Sequence, residues 1–242
     1  MEWVDEALVL SVRPHGETAT VAEFLTRDHG RHLAMVHGGR SRKNRPILQI
    51  GNHVDITWKA RLADQLGFAG VSLRRGFAAE AMNDRLALTA LTSLTSLARH
   101  LPERDPHPGL FEVSLFVLGF LDDPTVWPAL YVRWELALLG ELGYGLDLAA
   151  CAVTGSAEDL TYVSPNTGRA VSTTAAAPYV ERLLPLPPFL LAGRRGAVTR
   201  GDVAAGLKLT GYFLQHRVLA PRDQALPDAR TRLPELLARK GG

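Results

Sequence analysis

The hydrophobic period changes once along the chain, near residue 77, and that change sets what the two parts can become. Before it, apolar and β-branched residues come in short runs: EALVLSVR at 6–13, TATVAEFLT at 18–26, RHLAMVH at 31–37, HVDITWKARL at 53–62 and LGFAGVSLRR at 66–75. A period of two buries one side of a segment, so these runs read as strands. RPHGE at 13–17 and RDHGR at 27–31 lie between them as turns, each with a glycine to supply positive φ. Five short strands within the first 77 residues predict a small barrel of the OB type, domain 1–77.

After the change the spacing is helical. From Ala78, the run AAEAMNDRLALTALTSLTSLARHL places Leu86, Ala90, Leu94 and Leu97 three or four apart, which predicts one helix that ends at Pro102. Two more are predicted at 108–121 and 128–145, each opened by a proline, the second stopped by Gly143 and Gly145. A fourth covers about 201–219, with Thr199 or Asp202 as cap, and a short basic tail follows. Residues from about 149 to 195 are rich in turn formers and prolines and predict a small irregular insert within a helical domain 78–242. The fold class is therefore α+β and multidomain: an OB-fold barrel followed by an α-helical domain with an insert.

Several function classes drop out on chemistry. The glycines of GGRSRKNR lack the G-x-x-x-x-G-K-[ST] spacing of a phosphate loop, and no other nucleotide fingerprint is present. The histidines have no H-E-x-x-H spacing, and no Cys or His pair stands at metal-ligand spacing. Asp122–Asp123 and Glu158–Asp159 are adjacent pairs whose side chains point apart, so they read as solvated turns. Cys151 has no cationic or histidine neighbour and reads as structural. No catalytic constellation emerges, so the expectation is a protein that is not an enzyme and uses no cofactor or metal. The single cysteine excludes an internal disulfide and fits a reducing cytoplasm. MEWVDEALVL is too acidic and too short in its apolar run for a signal peptide, and no apolar stretch approaches about 18 residues, so no membrane span is expected.

Charge is uneven. Residues 1–76 carry 11 Lys or Arg against 8 Asp or Glu, residues 77–150 carry 4 against 10, and the remainder 12 against 7. The densest positive stretch is HGGRSRKNRP at 37–46, which follows the third strand. Most charge runs are solvated loops, but OB barrels bind single strands by joining a basic groove to aromatics. Arg40, Arg42, Lys43 and Arg45 are thus candidate phosphate contacts, and Arg13, Arg31, His37, Lys59 and Arg61 extend the track if they share a barrel face. The paired glycines read as a flexible exit from the strand. Trp58 and Phe68 are the nearest aromatics that could add stacking, but both sit in strands whose alternation points them inward, and core packing is the preferred reading.

Two stretches carry a family resemblance. ALVLSVRPHGETATVAEFLTRDHGRHLAMVHGGRSRKNR has the strand, "RP-x-GE-[TS]" turn, "T-x-x-x-G" hairpin and basic "K/H-G-x-R" loop that open the RecO family of DNA repair and recombination mediators. RWELALLGELGYGLDLAACAVTG resembles that family's "FE-x-x-LL-x-x-LGY" helix and "C-x-x-[CT]-G" turn, and YVSPNTGRAV and LPLP also fit. The resemblance covers most of the chain. It implies a non-enzymatic, cytoplasmic and nucleoid-associated protein that binds single- and double-stranded DNA and anneals complementary strands. It also implies partners: RecR, and the acidic C-terminal tail of the single-stranded DNA-binding protein SSB, so that RecA is loaded on SSB-coated DNA.

Many members of that family hold zinc with four cysteines in the insert. Here Cys151 would be the first ligand, Thr154 stands at the second and the later pair is missing, which is too few thiolates for tetrahedral zinc. The insert is then expected to be held by packing of Tyr162, Tyr179 and the Pro185–Phe189 segment. An SSB tail would need cations and an apolar pocket. Arg133, just before the aromatic–Glu pair of the family motif, is one candidate, with a surface pairing to Glu135 or Glu141 as its structural alternative. Arg217, Arg230 and Arg232 are the others, while Trp134 and Leu138 read as core.

Overall fold

The strand segments close into a ring, which leaves no unpaired edge. In the computed structural model, which describes residues 1–62, 65–194 and 196–239, the ring consists of β1 (Glu2–His15), β2 (Ala19–Thr26), β3 (Gly30–Val36), β4 (His53–Lys59) and β5 (Phe68–Arg75) in the order β1-β2-β3-β5-β4. Neighbours are antiparallel except β3 and β5, which pair in parallel. The architecture is OB-like. Ala7, Val9, Ala22, Phe24, Ala34, Val36, Val54, Ile56, Trp58 and Ala69 fill the interior, joined by Leu48 from the β3–β4 connection. A register slip between Val9 and Ser11 bends the long β1, which pairs with β4 through its first half and with β2 through its second.

Aromatic rings stack at one end of this interior. Trp3 lies flat between His29, 4.1 Å away, and Trp58, 5.3 Å away, and His32 tilts against both indoles. Burial, reinforced by the charge of Arg104, pushes the His32 imidazole from 6.5 down to about 4, so the ring is neutral where it packs.

A buried carboxylate organises the opposite, outward face. Glu23 of β2 takes hydrogen bonds from the Ser11 hydroxyl at 2.9 Å, from Arg99 Nε at 2.7 Å and from the Arg31 guanidinium. Arg31 Nε also donates to the Leu101 carbonyl at 2.8 Å, and Glu103 lies 3.4 Å from its other nitrogen. Burial alone would raise the Glu23 carboxyl, but these donors and the Arg99 charge outweigh it and hold the group below its ordinary 4.5.

The helix expected from Ala78 is two helices, α1 (Phe77–Ala81) and α2 (Arg85–Ala98). The break falls at Asp84, whose carboxylate accepts from the Leu86 and Ala87 N–H groups and caps α2. Then come α3 (Pro108–Leu118) and α4 (Trp127–Glu141), with a proline in the first turn of each. Trp134 and Leu138 are buried in α4, as expected. The insert is ordered. β6 (Leu160–Val163), β7 (Ala170–Ser172) and, after α5 (Thr173–Ala176), β8 (Leu184–Pro185) form a sheet in the order β7-β6-β8. Leu160, Val163, Ala170, Leu186 and Phe189 are buried there, whereas Tyr179 is 58% exposed and does not serve the packing role expected of it.

Thr199 and Asp202 form a capping box for α6 (Arg200–Phe213), which runs on as a wider π turn over Leu214–Leu219. The basic tail is itself a helix, α7 (Asp228–Arg239), despite Pro234 within it. The last three residues of the expected helical domain, and Arg195 at the expected end of the insert, lie outside the described residues. Packing divides the chain into Met1–Asp123 with Pro227–Leu233, and Pro124–Leu226 with the chain from Pro234 onward. α1, α2 and α3 therefore belong to the same compact unit as the barrel. Among the described residues, no helix is long and apolar enough to cross a membrane.

Replacing Glu23 with Gln leaves Arg31 and Arg99 without their carboxylate. Because Arg99 is 40% exposed, the cost falls at the lower end for a broken buried pair, about 3 kcal/mol in urea unfolding. His32 gives a second expectation. From pH 6.5 down to about 4 the unfolded chain binds a proton there that the folded chain does not, so stability falls as pH is lowered through this window. Melting curves across it should show a falling midpoint, and His32→Asn should flatten the fall.

Candidate nucleic-acid interface

The register of the ring decides which outward side chains stand together. Paired residues share a face of the sheet, so Arg13↔Val21, Val21↔Met35, Met35↔Phe68 and Phe68↔Lys59 form one transverse row. Ala22, Ala34, Val36, Ala69 and Trp58, one position away along the strands, belong to the core, which places this row outside. With neighbouring strands about 4.8 Å apart, the row is about 19 Å long. Cations mark both ends and an apolar stretch fills the middle. Phe68 is 48% exposed; the inward position expected for it is wrong, while Trp58 is buried as expected.

The basic loop lies at the exit of β3 and leans on the β1–β2 turn. The Arg40 N–H donates to the Thr18 carbonyl at 3.2 Å, and its guanidinium to the Gly16 and Glu17 carbonyls at 3.3 and 3.0 Å. Asn44 Nδ2 reaches back to the Gly38 carbonyl at 3.2 Å, the Arg45 N–H donates to Ser41 O and the Leu48 N–H to Asn44 O. Leu48 then enters the barrel core. A Cβ on Gly39 would sit 2.6 Å from the Thr20 side chain. The paired glycines are thus a packed turn, and the flexible exit expected of them is not found.

This loop presents its charges outward. Arg42, Lys43 and Arg45 are exposed, and among the described residues their side chains make no hydrogen bond or ion pair. Arg13 and Arg61 are exposed as well, and Lys59 makes an exposed pair with Glu2 at 2.8 Å. His37, the first residue of the loop, lies flat on Phe68, with centroids 4.7 Å apart and planes at 13°. The structure therefore places Arg13, His37 and the four loop cations by the β1–β2 turn and the exit of β3, with Lys59 at the far end of the row and Arg61 two positions beyond it. Arg31 is elsewhere. It pairs in register with Leu25, four residues down β3 from Met35 and about 13 Å away, and its charge is met by Glu23.

The outward position of Phe68 has a signal in the sequence. Phe68, Gly70, Ser72 and Arg74 share a parity in β5, and the polar members of that set mark it as outward.

The four arginines considered for an acidic tail are divided between the two packing units. Arg133 donates to the Phe189 carbonyl at 2.8 Å, with its guanidinium 5.8 Å from that ring. Glu135 is buried and accepts the Thr210 hydroxyl. Arg217 donates to the Asn166 and Pro165 carbonyls, Arg230 is buried, and Arg232 pairs with Asp228 one turn away. Arg133 and Arg217 belong to one packing unit and Arg230 and Arg232 to the other.

Nor does the insert offer a zinc site. Cys151 is buried and accepts the Ser172 N–H at 3.3 Å and the Ser172 hydroxyl at 3.5 Å. Burial would raise its thiol, but hydrogen bonds from Ser172 and Thr154 bring it down to about 6. Hydroxyls stand where further ligands would be needed, and among the described residues no three His, Cys, Asp or Glu gather to hold a metal. These residues do not fit zinc.

Comparison with known proteins agrees with both parts of the chain. The family model for the N terminal of recombination protein O matches residues 1–72, and that for its C terminal matches 82–225. The "DNA repair protein RecO" of one strain of Methylorubrum extorquens is 50% identical over 242 residues, covering 98% of each chain. That of Methylobacterium nodulans is 51% identical over 234 residues, with 95% of each covered, and that of a Caulobacter species is 47% identical over 100% of this chain and 99% of its own. With family models over both parts and relatives of near-equal length, the chain belongs to the RecO family of DNA repair and recombination proteins.

Proposed function

We propose that the basic loop and the cations at the two ends of the outward row, Arg13 and Lys59, bind the phosphate backbone of DNA, both single- and double-stranded, and that the protein acts as a recombination mediator. The observation that carries this reading is the exposed, unpaired set Arg42, Lys43 and Arg45 on a loop held by its own hydrogen bonds. Cations with no acid partner neutralise phosphates without first breaking an ion pair, and they release counterions as they do so. The row between the β1–β2 turn and the β4–β5 connection, across β2 and β3, is also where OB folds take oligonucleotides.

Annealing follows from the same chemistry. Contacts to phosphate fix a strand without occupying its base edges, so a bound strand can still pair with its complement. Arg31 is left out of the proposed contacts because Glu23 neutralises it. Family membership supports the remainder of the reading: action with RecR, contact with the acidic SSB tail and loading of RecA on SSB-coated strands. For the tail, Arg133 is the proposed contact, because its guanidinium carries N–H groups beyond the one donated to the Phe189 carbonyl.

Binding to a single-stranded oligomer and to a duplex should both weaken when Arg42, Lys43 and Arg45 are replaced together by Ala, and the slope of log affinity against log salt should fall by about 2 to 3. Unchanged affinity and slope would remove the loop from the DNA site and favour a different reading: a protein-interaction adaptor whose helical domain binds the acidic SSB tail, with the barrel as a docking module rather than a DNA site.

A further inference from the structure

Phosphate contacts leave the most unusual feature of the row without a role. Phe68 stands half exposed in the middle of a cationic surface, with His37 stacked flat against it. Its position is fixed by backbone rather than by its own packing. Met35 N–H donates to the Gly67 carbonyl at 3.0 Å, Phe68 pairs with Met35 on one side and Lys59 on the other, and Gly67 turns at φ +66° with Trp58 where a Cβ would be. The backbone that carries the ring is therefore fixed, and His37 lies on one of the ring's faces. His37 leads directly into the loop of Arg40, Arg42, Lys43 and Arg45, so any ligand lying on Phe68 has phosphate-binding cations next to it.

We infer that Phe68, backed by His37, is a stacking platform for an unpaired nucleobase of single-stranded nucleic acid. The inference rests on the DNA-binding reading above and adds strand selectivity to it. Within a duplex both faces of a base are covered by its neighbours, whereas an unpaired base has a face to offer an aromatic ring, and any base serves because every base has one. The cations hold duplex and single strand alike; Phe68 adds affinity for the single strand alone. Val21 and Met35, part-buried along the row, give the strand an apolar floor between its charged ends.

The test uses the full chain with a fluorescent oligo-dT, the same length of abasic sugar-phosphate oligomer, and a blunt duplex. Phe68→Ala should weaken oligo-dT binding about tenfold and leave the duplex, the abasic oligomer and the salt slope unchanged. Phe68→Trp should restore oligo-dT affinity and show fluorescence quenching beyond that of the wild type. Unchanged duplex binding also serves as the control that the variant is folded. Equal oligo-dT affinity for wild type and Phe68→Ala would overturn the platform and spare the phosphate reading. Equal losses for oligo-dT and duplex would overturn it too, and a wild type that binds no DNA would take both readings down together.

Discussion

One short parallel pairing closes the barrel, and the surface chemistry follows from it. β3 and β5 meet at Met35 and Phe68, with the Met35 N–H on the Gly67 carbonyl, while the other four contacts of the ring are longer antiparallel ladders. Pairing sets register and face together, because a slip of one residue turns every side chain to the opposite side. The closure therefore turns Ala69 into the core with Trp58 and turns Phe68 out beside Met35. Without it, Arg13 and Lys59 would not be the two ends of one row.

The second constraint is what neutralises each cation. Arg31 and Arg99 meet at Glu23, where a buried carboxylate ties β2, β3 and the end of α2 together. Removing that carboxylate leaves the mostly buried Arg31 with the exposed Glu103 carboxylate and the Leu101 carbonyl in place of its buried partner, so these arginines hold the fold. Arg42, Lys43 and Arg45 have no acid to leave, and their loop is anchored by backbone bonds and by Leu48 in the core. The same residue type thus does structural work at one end of β3 and is available to a polyanion at the other.

The barrel was legible because alternation over seven or eight residues is a strong signal, and the basic loop because four cations in six positions stand out. What each arginine does was not legible. Arg31 and Arg40 look alike in the chain, and the difference lies in Glu23 on the next strand and in Arg99 and Leu101 far along the sequence. The strands of the insert, two to four residues long, are too short for alternation to be read. α7 was hidden by Pro234 and by the charges that fill most of its turns. The inward reading of Phe68 failed because alternation gives a period and not a direction; the direction is set by Gly70, Ser72 and Arg74, which share the parity of Phe68.

The central claim is that the outward row of the barrel and the basic loop carry the nucleic acid. The most direct measurement is photocrosslinking of a single-stranded oligomer containing iodouracil to the full chain, with the adducts located by peptide mass spectrometry. The account predicts adducts in the peptides that contain Met35 to Arg45 and Lys59 to Phe68. Adducts confined to the unit Pro124–Leu226, with none in the barrel, would contradict it.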